Sequence, residues 1–495
     1  MYHVNKKNPA AQANRVLEKE RKITILIHDM PRKLTIRARP FLQPTIIAVS
    51  VAGALWPLFA LRAQEPADTN YDEGKVPNFA LPPLLPEGTE ALNNDERAKL
   101  WTSARRAEVQ SLLEKYVYGK TPDAATDRVR VRPELIESSD DALAGTATRR
   151  QVTLTVSPSP DAKGLNPEQS IQIEVLIYAP KRSRESSAPV PAFIGLNFYG
   201  NQTVHQDPAI RISKGWMRPN TSIGIEENRA TEKTRGVYQG RWQAEKLIKR
   251  GYALVTAYCG DIDPDNYRHD FTDGVHPLFY KEGETQPAAD EWGAIGAWAW
   301  GLSTIRSWLE NQAAQSDGHA TIDAKRMAVI GHSRLGKTAL WAGAQDQDFA
   351  MVISNDSGCG GAALYRRCFG ERIHHMLKPV GYWFCRNHAL YAKRESELPV
   401  DQHMLMALVA PRPLYVASAE EDRWADPKGE FLSARHASPV YEWLGTEGLP
   451  VDDMPKVNEP IATATGRIGY HMRSGEHDVT AFDWEQYLNF ADKHL

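Results

Sequence analysis

Residues 327–340 read Met327-Ala-Val-Ile-Gly-His-Ser-Arg-Leu-Gly-Lys-Thr-Ala-Leu340. An apolar run ends at Ile330 and helix-forming residues follow Arg334, so Ser333 falls on a strand-to-helix turn. Glycines at 331 and 336 permit close backbone approach on both sides of it. Such a turn lifts the serine hydroxyl clear of the sheet edge and aims the next backbone N–H groups at a reacting carbonyl. The spacing departs from G-x-S-x-G, because position 335 is leucine and the glycine comes one residue later. The strand-turn-helix context, the part of the pattern with a mechanism, is kept. Arg334 and Lys337 stand beside the serine, and positive charge in a first helical turn opposes the helix dipole, which argues for a functional reason.

Outward from the turn, Val190–Asn197, Tyr252–Tyr258, Met351–Ile353 and Leu414–Ala417 are further apolar runs, separated by helix-period segments such as Trp292–Leu309. Apolar strands alternating with helices predict a mostly parallel sheet covered on both faces. Earlier, Arg150–Val156 and Ile171–Tyr178 alternate apolar and polar residues, as half-buried antiparallel strands do. Asn94–Tyr116 reads as helical, after a Pro-rich lead-in at Val76–Pro86 that is expected to run extended along the body. The expected architecture is α/β: an α/β-hydrolase three-layer sandwich with a mostly parallel central sheet and antiparallel N-terminal strands. There is no repeat of 20–50 residues, no low-complexity tract and no linker after about residue 90, so 65–495 is expected to be a single catalytic domain.

The 495 residues are 42% hydrophobic and 24% charged, with a formal net charge of −3. That describes a large soluble core and gives no reason to expect nucleic acid. Thr45–Leu61 carries no charge, follows Arg32, Lys33, Arg37 and Arg39, and leads into Arg62-Ala-Gln-Glu-Pro66. Residues 1–64 therefore read as an N-terminal extension and signal peptide, with translation starting at Met30 and cleavage near Ala63. Export to the periplasm or beyond follows, with no stable membrane association after cleavage. The competing reading, a retained anchor, has a segment short for a bilayer and interrupted by Pro57. Cys259, Cys359, Cys368 and Cys385 allow three pairings in an exported protein, and the sequence selects none.

Reactive residues in such a sheet come from loops at the carboxyl ends of strands, in the chain order serine, acid, histidine. His477, in the loop before a last helix at Trp484–Leu495, suits a general base that takes the Ser333 proton and returns it to a leaving alcohol. Two carboxylates at strand ends compete to orient it: Asp422, with Glu420, Glu421 and Asp426 nearby, and Asp356. The oxyanion donors are expected from the Arg334 N–H and from the loop Phe198-Tyr-Gly-Asn-Gln-Thr203. Asp261-Ile-Asp-Pro-Asp265 resembles the start of a calcium loop, but Asn266 and Thr272 stand where glycine and glutamate belong. His374-His375 lack the companion spacing of a zinc site and read as structural. No metal or cofactor is expected.

Taken together, Trp298-Ala-Trp-Gly-Leu-Ser303, Gly331–Lys337, Asn355-Asp-Ser-Gly-Cys-Gly-Gly361, Val400-Asp-Gln-His403, Ala410-Pro-Arg-Pro413 and Ala419–Pro427 resemble the bacterial glucuronoyl esterase family of carbohydrate esterases, over most of residues 90–495. The resemblance implies cleavage of the ester between (4-O-methyl)glucuronic acid of glucuronoxylan and lignin alcohols. It implies Ser333 as nucleophile, His477 as base, Arg334 as oxyanion stabiliser through backbone and side chain, and Lys337, Glu371 and Trp424 as sugar contacts. The fungal branch has glutamate at the position of Asp356, whereas bacterial members can carry an acid at that of Asp422, so both stay open. An acetyl xylan esterase or general carboxylesterase is the competing enzyme, and a non-catalytic carbohydrate-binding protein the competing class. A monomer is expected.

Overall fold

The structure, a computed structural model, describes residues 66–122, 128–162, 164–181, 188–267, 270–315 and 321–495. The expected leader, start at Met30 and cleavage near Ala63 lie outside the described residues. Gln64–Leu495 form one compact unit.

Nine strands make one sheet: β1 (Val129–Ala142), β2 (Ala147–Pro158), β3 (Ile171–Pro180), β4 (Val190–Asn197), β5 (Ala253–Tyr258), β6 (Ile322–His332), β7 (Met351–Asn355), β8 (Leu414–Ala419) and β9 (Ile468–Arg473). Their spatial order is β1-β2-β3-β5-β4-β6-β7-β8-β9. The first three strands run antiparallel to one another and β3 pairs antiparallel with β5. Every later pairing is parallel. The division follows the side-chain pattern, because β5, β7 and β8 are buried throughout whereas the edge strand β1 is largely exposed between its two buried ends.

Each face of the sheet has its own apolar cluster. Val329 of β6 packs into one and its neighbours Ala328 and Ile330 into the other. The first lies under helices α1 (Ala294–Gln315), α2 (Arg334–Gln345) and α3 (Pro427–Trp443); the second lies under α4 (Ala481–His494). This three-layer arrangement is the expected α/β-hydrolase fold.

Residues 94–118 form a helical run with two π-type stretches, at Trp101–Arg105 and Glu114–Tyr118. Asn93 and Glu96 open it with reciprocal side-chain to backbone bonds of 3.0 Å, a capping box. Arg105 donates to the carbonyls of Leu84 and Pro83 at 2.9 Å and so ties down the Pro-rich lead-in. Strand β9 was not expected, because Gly469, His471 and Arg473 break its apolar pattern. Its buried polar groups are satisfied by one carboxylate on α4: Asp483 takes His471 Nε2 at 2.8 Å and Arg473 Nε at 2.9 Å. Among the described residues no helix is long and apolar enough to cross a membrane.

The join between β6 and α2 is the tightest feature of the sheet. Ser333 has φ 57° and ψ −130°, a region a residue with a Cβ rarely occupies. Gly331 explains how the chain enters it, since a Cβ there would stand 1.9 Å from the Leu335 carbonyl oxygen. Gly331→Ala is expected to cost about 1–3 kcal/mol or more, the range for forced overpacking. Urea unfolding would check it, and a cost near zero would mean that the turn is not confined as described.

Candidate active site

Ser333 is kept in place from both sides. Its N–H donates to the Asn355 carbonyl at the end of β7 (2.9 Å), and its own carbonyl accepts from Gly336 and Lys337 at 2.8 and 3.1 Å. The displaced glycine of the motif now has a reason. At Gly336 a Cβ would stand 2.9 Å from Ser357 Cβ and 3.1 Å from the Asn355 carbonyl, so the close approach of α2 to the β7 loop falls there. Leu335, where the common pattern has glycine, is buried in the core.

The loop after β9 brings His477 beside this turn. Its ring lies 4.4 Å, centroid to centroid, from that of His332, the residue preceding the serine. His477 Nδ1 is 2.6 Å from Asp422 Oδ2, and the imidazole is partly exposed while the carboxylate is buried. Asp422 is held in turn by the loop after β8, where its side chain accepts the Ala425 N–H at 3.4 Å. His332 is fully enclosed, and its burial, then the charge of His477, pushes it well below the usual imidazole range. Asn355 donates its Nδ2 to Tyr487, which leaves Oδ1 to accept from His332 Nδ1 at 2.6 Å and sets that tautomer.

Asp356 lies within 4.8 Å of both Asp422 and His477. It differs from Asp422 in what reaches it. Arg473 touches its Oδ2 at 3.5 Å, and among the described residues its Oδ1 has no hydrogen-bond partner. Burial, then repulsion from Asp422 and Glu430, drives its carboxyl well above the usual range. Glu430 on α3, which accepts from the N–H groups of Ser357 and Gly358 at 2.8 and 2.9 Å, is pushed up to about 8 by burial. Asp356, Asp422 and His477 have the spacing of a metal triad, but an imidazole nitrogen already bonded to Asp422 suits a proton-transfer site better.

Arg334 is held over the turn by groups from three loops. Its guanidinium carbon lies 4.4 Å from the Phe198 ring centroid and 5.7 Å from that of Trp383. Its Nε is 2.8 Å from Asp265 Oδ2, though the N–H is not aligned for a hydrogen bond, so the contact is an ion pair. Asp265 also accepts from Arg218 (2.8 Å), Tyr382 (2.5 Å) and Trp383 (2.9 Å). Burial opposes its charge, yet Arg334 and Arg218 hold its carboxyl below the usual range. Sequence reasoning missed this residue. It dismissed Asp261–Asp265 as a failed calcium loop, and the three acids prove to serve three separate sets of partners. Asp261 caps the Glu174 N–H at 3.1 Å, and Asp263 pairs with His276 at 3.0 Å.

In the loop Phe198–Thr203 the side-chain amides are committed elsewhere. Asn201 donates to the Glu174 carbonyl, and Gln202 to Tyr199 and Thr234. The loop's backbone is partly committed too, the Gly200 N–H to Asn197 Oδ1 at 2.8 Å and the Thr203 N–H to the Gly200 carbonyl at 3.0 Å.

The remaining three residues also come together. Lys337 is buried, with Nζ 2.6 Å from the Ser357 carbonyl and 3.3 Å from Glu371 Oε2. The Glu371 N–H donates to the Trp424 carbonyl at 2.8 Å, and Trp424 stays partly exposed, stacked on His375 at 5.3 Å. All four cysteines are free thiols.

Residues 244–445 match a family model described as glucuronyl esterase, fungi. The chain is 44% identical over 453 residues to carbohydrate esterase MZ0003 from an unknown prokaryotic organism, covering 91% of this chain and 98% of that protein. It superposes on the solved glucuronoyl esterase from Solibacter usitatus with a TM-score of 0.74 and 41% identity, covering 86% of this chain and 100% of that one. It is 35% identical over 205 residues to 4-O-methyl-glucuronoyl methylesterase 1 from Wolfiporia cocos, covering 40% of this chain and 48% of that protein.

The ion pair to Asp265 gives a test of how Arg334 is held. Asp265→Asn is expected to lower kcat roughly tenfold in the native background and to add little on top of Arg334→Ala, as coupled neighbours do. An equal loss in both backgrounds would detach Asp265 from Arg334. A relative matched along nine-tenths of the chain, and a solved structure matched along its full length, place this carboxylic ester hydrolase in the glucuronoyl esterase family of carbohydrate esterases.

Proposed function

We propose that the chain cleaves the ester joining (4-O-methyl)glucuronic acid of glucuronoxylan to lignin alcohols, with Ser333, His477 and Asp422 as its catalytic triad. The observation that carries this reading is the 2.6 Å contact from His477 Nδ1 to Asp422 Oδ2, beside a serine turned out of the sheet at φ 57°. His477 takes the Ser333 proton as Oγ attacks the ester carbonyl, then protonates the departing alcohol. The acyl-enzyme is hydrolysed by the reverse sequence with water as nucleophile. The oxyanion forms beside the Arg334 N–H and guanidinium, where a fixed cation favours the charged transition state over the neutral ester.

On the acyl side, Lys337 and Glu371 present a cation and a carboxylate 3.3 Å apart, a pair able to bind neighbouring ring hydroxyls. Trp424 adds an apolar face beside them. Asp356 lies close to His477 as a carboxyl whose burial and acidic neighbours oppose its charge, with no role as the orienting group. Residues 1–64 serve as extension and leader, and 65–495 work as a monomeric catalytic domain outside the cytoplasm.

Ser333→Ala is expected to abolish turnover while substrate still binds, which a non-catalytic binding protein would not show. Asp422→Asn should lower kcat about a thousandfold to ten-thousandfold, as loss of the orienting carboxylate does in such triads. Asp356→Asn should stay within about tenfold of the native enzyme, the loss expected of a neighbour that holds no reacting proton. Steady-state kinetics on a benzyl glucuronate ester, with calorimetric binding of that ester to Ser333→Ala, would check all three, and the reverse ranking of the two acids would reassign the triad. A chain that turned over only acetylated xylan would remove the glucuronate reading.

A further inference from the structure

Residues 68–73 bond to the two loops that carry Glu371 and Trp424 at four points, through Asp68, the Asn70 and Tyr71 carbonyls, and Glu73. Asp68 receives His374 Nε2 at 3.0 Å, His375 Nε2 at 3.3 Å and Lys393 Nζ at 3.0 Å. The Asn70 carbonyl takes the Gly370 N–H at 2.9 Å. The Tyr71 carbonyl accepts from Arg423, whose guanidinium lies over the rings of Tyr71 (5.0 Å) and Phe369 (5.7 Å). Glu73 receives Arg367 at 2.6 Å and Lys428 at 3.1 Å, and buried Arg367 passes on to Asp426 at 2.8 Å.

The anchoring points bracket the proposed sugar contacts. Glu371 is one residue after Gly370, and Trp424 one residue after Arg423. Gly370 is at φ 59°, where an added Cβ would meet the Trp424 carbonyl at 2.4 Å, so the two loops touch backbone to backbone. His375 links the Asp68 end to the indole itself, stacked on Trp424 at 5.3 Å with the planes 22° apart.

Asp68, His374 and His375 also have the spacing of a metal site, but their hydrogen bonds argue for a clamp. His375 Nδ1 accepts the Arg372 N–H at 3.1 Å, which puts the ring proton on Nε2, the atom a metal would need bare. Lys393 meanwhile supplies a cation to the Asp68 carboxylate.

We propose that residues 68–73 form a strap that positions Glu371 and Trp424 for the uronate ring, with Asp68 and Glu73 as its specificity-determining anchors. The proposal rests on the reading of those two residues as sugar contacts. A strap of this kind acts on recognition of the acyl part and leaves the proton-transfer machinery at Ser333 and His477 alone.

The test uses the full chain with Asp68→Ala and Glu73→Ala combined, alongside Trp424→Ala, on benzyl glucuronate and on 4-nitrophenyl acetate. The double variant is expected to raise KM for benzyl glucuronate at least fivefold, with its kcat and its kcat/KM for the acetate both within twofold of native. Asp68→Glu with native Glu73 should keep the native KM. An unchanged glucuronate KM in the double variant, with a raised KM in Trp424→Ala, overturns the strap alone. A parallel loss on both esters shows a merely structural role and overturns it too. An unchanged KM in Trp424→Ala instead removes the sugar-contact reading on which the strap depends.

Discussion

Ser333 stays in a backbone region unfavourable to its side chain because its N–H is paired with the Asn355 carbonyl of the neighbouring strand and its carbonyl with the first N–H groups of α2. Those bonds span the junction of β6, β7 and α2. A relaxed serine would therefore have to uncouple the helix from the sheet. Parallel pairing supplies the rigidity, since β6 is held between β4 and β7 and buried on both faces where it reaches the turn. The strain resides at the residue that has to project, while the framework around it is ordinary. Arg334, Lys337 and the loop carrying Asp356 inherit their positions from this one junction.

Much of this was legible in the chain, for a physical reason in each case. A buried parallel strand must be apolar along its whole length, so β4, β5, β7 and β8 announced themselves, and a helix must follow to cover them. Strand β9 did not, because Asp483 on α4 takes the hydrogen bonds of its His471 and Arg473, and such a partner cannot be read from the strand itself. The glycine at 336 was visible as an irregularity. Its reason, the approach of α2 to Ser357 and to the Asn355 carbonyl, belongs to a contact made by the next loop.

The site shows the same boundary between order and distance. Chain order narrowed the base to His477 and the acid to Asp356 or Asp422, both at strand ends. Order could go no further, because the choice depends on which carboxyl oxygen comes within hydrogen-bonding reach of one ring nitrogen, and that is 2.6 Å for Asp422. Surroundings separate the two as well: Asp356 is the more enclosed of the pair, and burial, then repulsion from Asp422 and Glu430, drives its carboxyl well above the usual range. Two acids can thus share one neighbourhood without sharing partners.

Asp265 marks where sequence reading failed for lack of the third dimension. Its spacing with Asp261 and Asp263 suggested a common ligand, yet a turn of α-helix at Cys259–Ile262 and the extended residues after it send the three side chains to different places. Spacing alone carries no information about divergence of that kind. What the segment contributes is a buried charge that two arginines share, which keeps the Arg334 guanidinium from swinging into solvent as an isolated cation at a helix start would. The unfavourable placement of a cation on the first turn of α2 is thus offset from outside the helix. The place of the positive charge beside Ser333 is a property of the assembled loops, and the ion pair with Asp265 is the contact that fixes it.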